Sequence, residues 1–273
     1  MPSTAKPTDV ICIASWNADL VSRVPRPIAR GETLLASDFD ISPGGKGSNA
    51  AVACARQGAR TAVIARIGRD DFGRMALDLW QREGIATRHV EAASDAIAGC
   101  RLVMASCEVP MAATLAAFRI ARAACVTTLL NPAPAQRLTA ELLALVDVLT
   151  PNEHELRTVA GVANDAPLDV AARTLLERGV QAVLVTLGAA GCRLWRRGAA
   201  ALTVAGWRVE QVVDTIGAGD TFNGALAAGL SRGLAIDQAM RRANAAAALS
   251  VGGRGAIGGM PTAAQVDALL ARG

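Results

Sequence analysis

The stretch Asp214-Thr215-Ile216-Gly217-Ala218-Gly219-Asp220-Thr221-Phe222-Asn223-Gly224 decides how the rest of the chain is read. The apolar residues 207–213 before it read as a strand, and residues 225–231 continue it as a helix. The join is a glycine-rich turn that opens a helix and carries an acid, Asp220, at the helix start. Unpartnered amides at such an end, together with the helix dipole, bind anions. A carboxylate in that place can equally cap the helix. The turn alone leaves both readings open.

Just upstream, residues 182–186 read as a strand that leads into Leu187 and the tight turn Gly188-Ala189-Ala190-Gly191. That turn suits nucleotide phosphates or a simple hairpin. Further back, Pro151-Asn152-Glu153-His154-Glu155 follows the short strand 148–150 and starts a helix. Asn152 and Glu155, three apart, share a helix face and could hold the water shell of Mg²⁺. The same spacing also makes a capping box. Downstream come an Ala-rich helix over 236–250, a loop Gly252-Gly253-Arg254-Gly255 and a last helix over 263–271.

The N-terminal half repeats the strand-then-helix rhythm. Residues 9–14 form a short apolar run suited to a buried parallel strand, and it empties into Ser15-Trp16-Asn17-Ala18-Asp19. In extended chain, Asn17 and Asp19 point to one face and could grip hydroxyls; a pair of turn formers is the plainer reading. Residues 33–41 look extended. Pro43-Gly44-Gly45-Lys46-Gly47-Ser48-Asn49 then precedes a helix over 50–57. Lys46 is followed by Gly, so this is no Walker A loop, and a lysine between glycines has no obvious structural use. Strands at 61–67, 102–106 and 125–130 alternate with helices at 71–83, 112–123 and near 139–145. That alternation predicts a parallel sheet covered on both faces, with ligands outside the carboxyl ends of its strands.

Bulk properties exclude several classes. No apolar run approaches the roughly 20 residues of a membrane span, and the N-terminus lacks the layout of a secretory signal. A soluble, cytoplasmic protein is the expectation. The net charge of +4 is mild, its arginines are scattered and aromatics make up 3% of residues, so no nucleic-acid partner is expected. Six cysteines without a C-x-x-C pair read as reduced core thiols. His89 and His154 are too few and too far apart for zinc.

With its motifs in order, the chain resembles the PfkB family of carbohydrate kinases, in its ribokinase branch. The likeness rests on Asn17-x-Asp19, Gly31-Glu32-Thr33, Gly44-Gly45-Lys46-Gly47-x-Asn49, Asn131-Pro132-Ala133-Pro134-Ala135, Asn152-x-x-Glu155 and Gly217-Ala218-Gly219-Asp220. It implies a single ribokinase-like domain over 1–273, a three-layer α/β/α sandwich with a central, mostly parallel sheet and a small β lid. It further implies an ATP-dependent kinase that transfers the γ-phosphoryl group to the 5-hydroxyl of D-ribose. The alternatives are a kinase for deoxyribose, another pentose or a nucleoside, and a catalytically silent sugar- or nucleotide-binding member.

By the same resemblance, Asn17, Asp19, Gly45, Lys46, Asn49 and Glu108 hold the sugar. Asp220 is the base, and Gly217, Ala218 and Gly219 supply amides to the transferred group. Asn152 and Glu155 serve Mg²⁺ through water. Asn152, Thr186, Leu187, Gly188, Ala189, Ala190, Gly191, Gly219 and Asn244 meet the nucleotide. Asp214, the carbonyls of Ile216, Ser250, Gly253 and Gly255, and position Gly259 correspond to a K⁺ site. The helix dipole is expected to keep Asp220 ionised.

Three departures stand out. Lid strands are expected from about 15–45, but a second pair is missing near 90–100, which should weaken closure over the sugar. A homodimer is allowed but disfavoured, because the usual contact lies in that missing region. Ala14 replaces a usual glycine, and Gly259 replaces a common side-chain cation ligand.

Overall fold

The computed structural model describes residues 8–88 and 93–272. Its organising strand is β1 (Val10–Ile13), buried at every position. Side chains alternate across a strand, so Val10 and Cys12 enter one apolar core while Ile11 and Ile13 enter another on the opposite face. A strand with two apolar faces is stable only between two layers of helix.

From β1 the chain makes an antiparallel pair, β2 (Asn17–Arg23) and β3 (Asp38–Gly44), set apart from the main sheet. It returns through α1 (Lys46–Arg56), β4 (Thr61–Ile64), α2 (Asp71–Arg82) and β5 (Ala86–Arg88) to one sheet edge. After α3 (Ala93–Ala98) it re-enters beside β1 as β6 (Leu102–Ser106) and moves the other way. The next elements are α4 (Met111–Ala123), β7 (Thr127–Asn131), α5 (Ala140–Ala144), β8 (Val148–Leu149), α6 (Glu153–Ala160), α7 (Leu168–Glu177) and β9 (Ala182–Thr186). Two antiparallel strands, β10 (Gly191–Arg196) and β11 (Leu202–Ala205), finish that edge, and α8 (Ala218–Ser231), α9 (Ile236–Ser250) and α10 (Ala263–Leu270) complete the chain.

Among the described residues the nine strands of the main sheet run β11-β10-β9-β8-β7-β6-β1-β4-β5. The chain leaves β1 toward β4 and later departs from β6 in the opposite direction. The crevice between the carboxyl ends of β1 and β6 is therefore the switch point at which open α/β sheets bind ligands.

Helices α1 and α8 lie side by side on one face of the sheet. A Cβ at Gly224 would stand 2.4 Å from the carbonyl oxygen of Ala50, so glycine permits the closest approach of the two helices. Phe222 anchors that layer and Phe118 the opposite one. Burying each stabilises the fold by about 1.5–3 kcal/mol. At the mouth of β1, Asp9 accepts from the Arg60 guanidinium at 2.5 and 2.8 Å, holding β1 against the turn before β4.

Several expectations need correction. Residues 207–213 form no strand. Val212 and Val213 are exposed, and the amide of Val213 donates to Val251 O at 2.8 Å, so the run is tied to the end of α9 instead of pairing in the sheet. The first helix begins at Lys46, not after Asn49, which makes the glycine–lysine motif a helix start. Only Asp38–Gly44 of the extended-looking 33–41 region and its sequel is strand. The turn over 188–191, for which a hairpin is one of the two readings, is a short 3₁₀ turn that joins antiparallel β9 and β10, as that reading has it. Of the stretch near 90–100 read as lacking lid strands, residues 89–92 lie outside the described residues and Ala93–Ala98 is helix. No described helix is long and apolar enough to cross a membrane.

Candidate active site

Three strand ends converge at the switch point. β1 leaves through Ala14 and Ser15 into the β2–β3 pair, β6 ends at Ser106 two residues before Glu108, and β7 ends at Asn131. Facing them are the first turns of α1 and α8.

Gly45, at the cap position before helix α1, has no side chain to cap it. Glu108 supplies the missing acceptor from outside. Its Oε2 accepts from the Lys46 amide at 2.8 Å and from Ser15 Oγ at 2.6 Å, and Ser15 Oγ accepts from the Gly47 amide at 3.1 Å. A carboxylate at a helix N-terminus is favoured by the dipole. Glu108, expected at the sugar, is thus also a clamp on α1, and its other oxygen has no partner among the described residues. Asn17 and Asp19 pair with Gly44 and Ser42, so they share one face of the two-stranded sheet. The Asp19 carboxylate lies directly over Gly44, close to Lys46 in sequence. The other face of that sheet carries Leu20, Phe39 and Ile41, all exposed.

Helix α8 begins after Gly217, whose left-handed backbone (φ 79°) turns the chain into the helix, and no side chain caps it. The capping reading of Asp220 is therefore set aside. The amides of Gly217, Gly219 and Asp220 donate to no acceptor among the described residues, an arrangement suited to an anion. The Asp220 side chain is buried (6% exposed) and Oδ2 accepts from Asn49 Nδ2 at 3.0 Å. Burial pushes its carboxyl above the usual 3.8, while the Asn49 hydrogen bond and Lys46 pull it down and Glu108 and Glu155 push it up. Loss of water thus acts against the dipole, which is expected to keep Asp220 ionised.

A polar cavity of about 210 Å³ opens beside Asp220, between Lys46, Asn131, Glu155, Gly217 and Asn223. Asn152 and Glu155 form a capping box on α6: Asn152 Oδ1 accepts from the Glu155 amide at 2.8 Å, and Glu155 Oε2 accepts from the Asn152 amide at 2.9 Å. Both residues line the cavity, and Glu155 Oε1 has no partner among the described residues. Among the described residues no group of three or more His, Cys, Asp or Glu could hold a metal ion. One carboxylate beside an anion site suits Mg²⁺, which keeps its waters and binds phosphates.

Through Thr186, Thr215 and Gly219 the cavity joins a groove of about 690 Å³. Gly188, Ala189 and Gly191 line it, opposite Trp207, Val212 and Ala248, so the run misread as a strand is its apolar wall. Asn244 also lines the groove, but its amide donates to Val204 O and Ala205 O, both at 3.2 Å, and so fastens β11. Leu187 turns its amide to Gly191 O at 2.8 Å, inside the hairpin, and Leu187 and Ala190 are not among the groove's lining residues.

Behind the groove, Asp214 accepts from the amides of Ile216 and Gly255, both at 2.9 Å, which holds its carboxyl below the usual range. Its two oxygens thus tie the loops around Ile216 and Gly255 together. At Gly259 a Cβ would stand 1.9 Å from Ser250 O, so this backbone leaves no room for a side-chain ligand there. Ser250 O also accepts from the Gly253 amide at 3.3 Å.

Sequence reasoning missed Ser15, Ser106, Thr215, Asn223 and the Trp207 wall. Two were within reach: Ser15 shares the face of Asn17 in extended chain, and Asn223 lies three residues beyond Asp220 on one helix face.

The profile described as pfkB family carbohydrate kinase matches residues 7–106 and 96–263. A ribokinase of Haemophilus influenzae is 35% identical, covering 92% of this chain and 94% of its own length. A deoxyribokinase of Salmonella typhimurium is 29% identical, covering 96% and 98%. The solved structure of Arabidopsis thaliana ribokinase complexed with ribose and ATP superposes with a TM-score of 0.90 at 26% identity, covering 97% of this chain and 99% of that one.

Proposed function

Because the chain belongs to the pfkB family of carbohydrate kinases, we propose that it transfers the γ-phosphoryl group of ATP to the 5-hydroxyl of D-ribose. The observation that carries this reading is the seat of Asp220. It is a buried acid in the first turn of a helix with free amides, at the wall where a polar cavity meets a nucleotide-sized groove.

Phosphoryl transfer through a loose transition state needs positioning and charge stabilisation more than covalent chemistry. Asn17, Asp19, Lys46 and Glu108 would hold the sugar hydroxyls so that one meets Asp220. Asp220 would accept that hydroxyl's proton as its oxygen attacks the γ-phosphorus and ADP leaves. The amides of Gly217, Gly219 and Asp220 would meet the charge gathering on the transferred oxygens. Glu155, with Asn152 beside it, would hold Mg²⁺ through water, and the ion would neutralise phosphate charge. A monovalent cation such as K⁺ fits only through carbonyl oxygens of Ile216, Ser250, Gly253 and Gly255.

The lid, read as β2 and β3 without a second strand pair, should close weakly and raise the sugar KM. The shortened lid disfavours a homodimer, which sedimentation equilibrium reads directly. Five buried, unpaired thiols support a reducing compartment, the cytoplasm. A silent binder is the second reading, motivated by the lid. The buried acid beside Lys46 favours the enzyme, since a binder gains nothing from an acid whose ionisation burial opposes. Assays of ADP release with ribose, deoxyribose, other pentoses and nucleosides, with Mg²⁺ and K⁺, test the proposal. Turnover with ribose above the others supports it; nucleotide binding without turnover on any acceptor contradicts it.

A further inference from the structure

Next to the polar cavity, sharing Lys46, Asn131, Asp220 and Asn223 with it, lies a second, much smaller space of about 10 Å³ that Cys12 and Ser106 also line. A cavity holds one water when it offers about 10–15 Å³ and two to four polar partners. Two side chains on its wall carry buried polar atoms with no hydrogen-bond partner. One is Ser106 Oγ, on a residue 3% exposed, and the other is Asn223 Oδ1, on a residue 2% exposed. The Asn223 amide is already committed, Nδ2 donating to Gly219 O at 2.9 Å, which fixes the direction in which Oδ1 points. Unpaired polar atoms this deep are rare because each forfeits hydration without a replacement.

We propose that one structural water occupies this chamber and links Ser106 and Asn223 to the Asp220 carboxylate, making both of them positioning residues for the base. The donors and acceptors balance. The Ser106 hydroxyl donates to the water oxygen, and the water donates one hydrogen to Asn223 Oδ1 and the other to Asp220. Asp220 is then held by two donors, Asn49 on Oδ2 and the water. A donor to the carboxylate favours its charged form and offsets part of the cost of burial. The water thereby works in the same sense as Asn49, against the upward push of burial on the Asp220 carboxyl. Its role in proton transfer rests on the kinase reading, whereas occupancy of the chamber does not.

The test has two arms. In a crystal structure of the unliganded protein resolving ordered water, one density peak is expected within hydrogen-bond distance of both Ser106 Oγ and Asn223 Oδ1. An empty chamber, or the Lys46 ammonium filling it, overturns the proposal. This arm decides even if no sugar is turned over, so its failure is distinct from failure of the kinase reading. In the second arm, the acidic limb of the kcat/KM profile with the best acceptor is compared for wild type, Ser106→Ala and Ser106→Thr. Ser106→Ala should move that limb to higher pH, lowering kcat/KM roughly three- to tenfold on the acid side while the alkaline plateau is kept. Ser106→Thr, which retains the hydroxyl, should restore the wild-type limb. Equal losses at every pH, or an unmoved limb in Ser106→Ala, would assign Ser106 to packing alone and refute its tie to Asp220.

Discussion

Asn49 and Asp220, 171 positions apart, are joined by a 3.0 Å hydrogen bond between the first turns of two neighbouring helices. The bond exists because α1 and α8 touch where Gly224 faces Ala50. It fixes the acid where the polar cavity meets the groove, so on the proposed reading the geometry of that helix pair controls the chemistry.

Replacing Asp220 with Asn keeps an acceptor for Asn49 and removes the base. The kcat should fall by about 10²–10⁴ with sugar KM little changed, read by steady-state kinetics. The burial-raised carboxyl gives a stability contribution fully present below its ordinary value of 3.8 and lost as pH rises through the raised one. At neutral pH the charge therefore costs stability, and Asp220→Asn should have the higher Tm.

Gly224→Ala places a methyl group against the α1 backbone. The helices must separate, at a cost of about 1–3 kcal/mol, and Asn49 should lose its hold on Asp220. Denaturant melts and kcat measured together should both fall; a stable, fully active variant would show that the close approach is incidental.

How much of this was legible in advance divides by physical cause. β1 and the helix Asp71–Arg82 were readable because local pattern decides them: an apolar run in one, 3.6-residue periodicity ended by Gly84 in the other. The run 207–213 has the composition of a strand, yet the sheet edge is taken by β10 and β11, so its apolar side chains face a groove instead. No local pattern reports which edge is free. Asn17, Lys46 and Asp220 could be found because glycine and polar punctuation mark helix starts and strand ends. Ser106 and Asn223 look like ordinary strand and helix residues; only the assembled core shows that their polar atoms lack partners.

Glu108→Ala removes the outside cap of α1 together with the sugar contact proposed for it. Loss of the cap should cost about 1–2 kcal/mol, and the sugar KM should rise more than the ATP KM. Thermal melts with separate titrations of the two substrates check both parts.

Asp9→Asn tests stability away from the site. Arg60 holds the Asp9 carboxyl below its ordinary value, so the stabilisation is present above that ordinary value and lost as pH falls through the lowered one. Half-exposure of Arg60 limits the loss at neutral pH to about 1–2 kcal/mol, read from urea midpoints. The Tm difference between variant and wild type should vanish in acid, with kcat unchanged throughout.

The central claim is tested most directly by product analysis. D-ribose, ATP and Mg²⁺ are incubated with wild type and with Asp220→Asn, and the sugar is examined by phosphorus NMR and mass spectrometry. Ribose carrying one phosphate on its 5-hydroxyl, formed by the wild type and suppressed by at least about a hundredfold in the variant, is the predicted result. Unmodified ribose with the wild type, or equal product from both proteins, would contradict it.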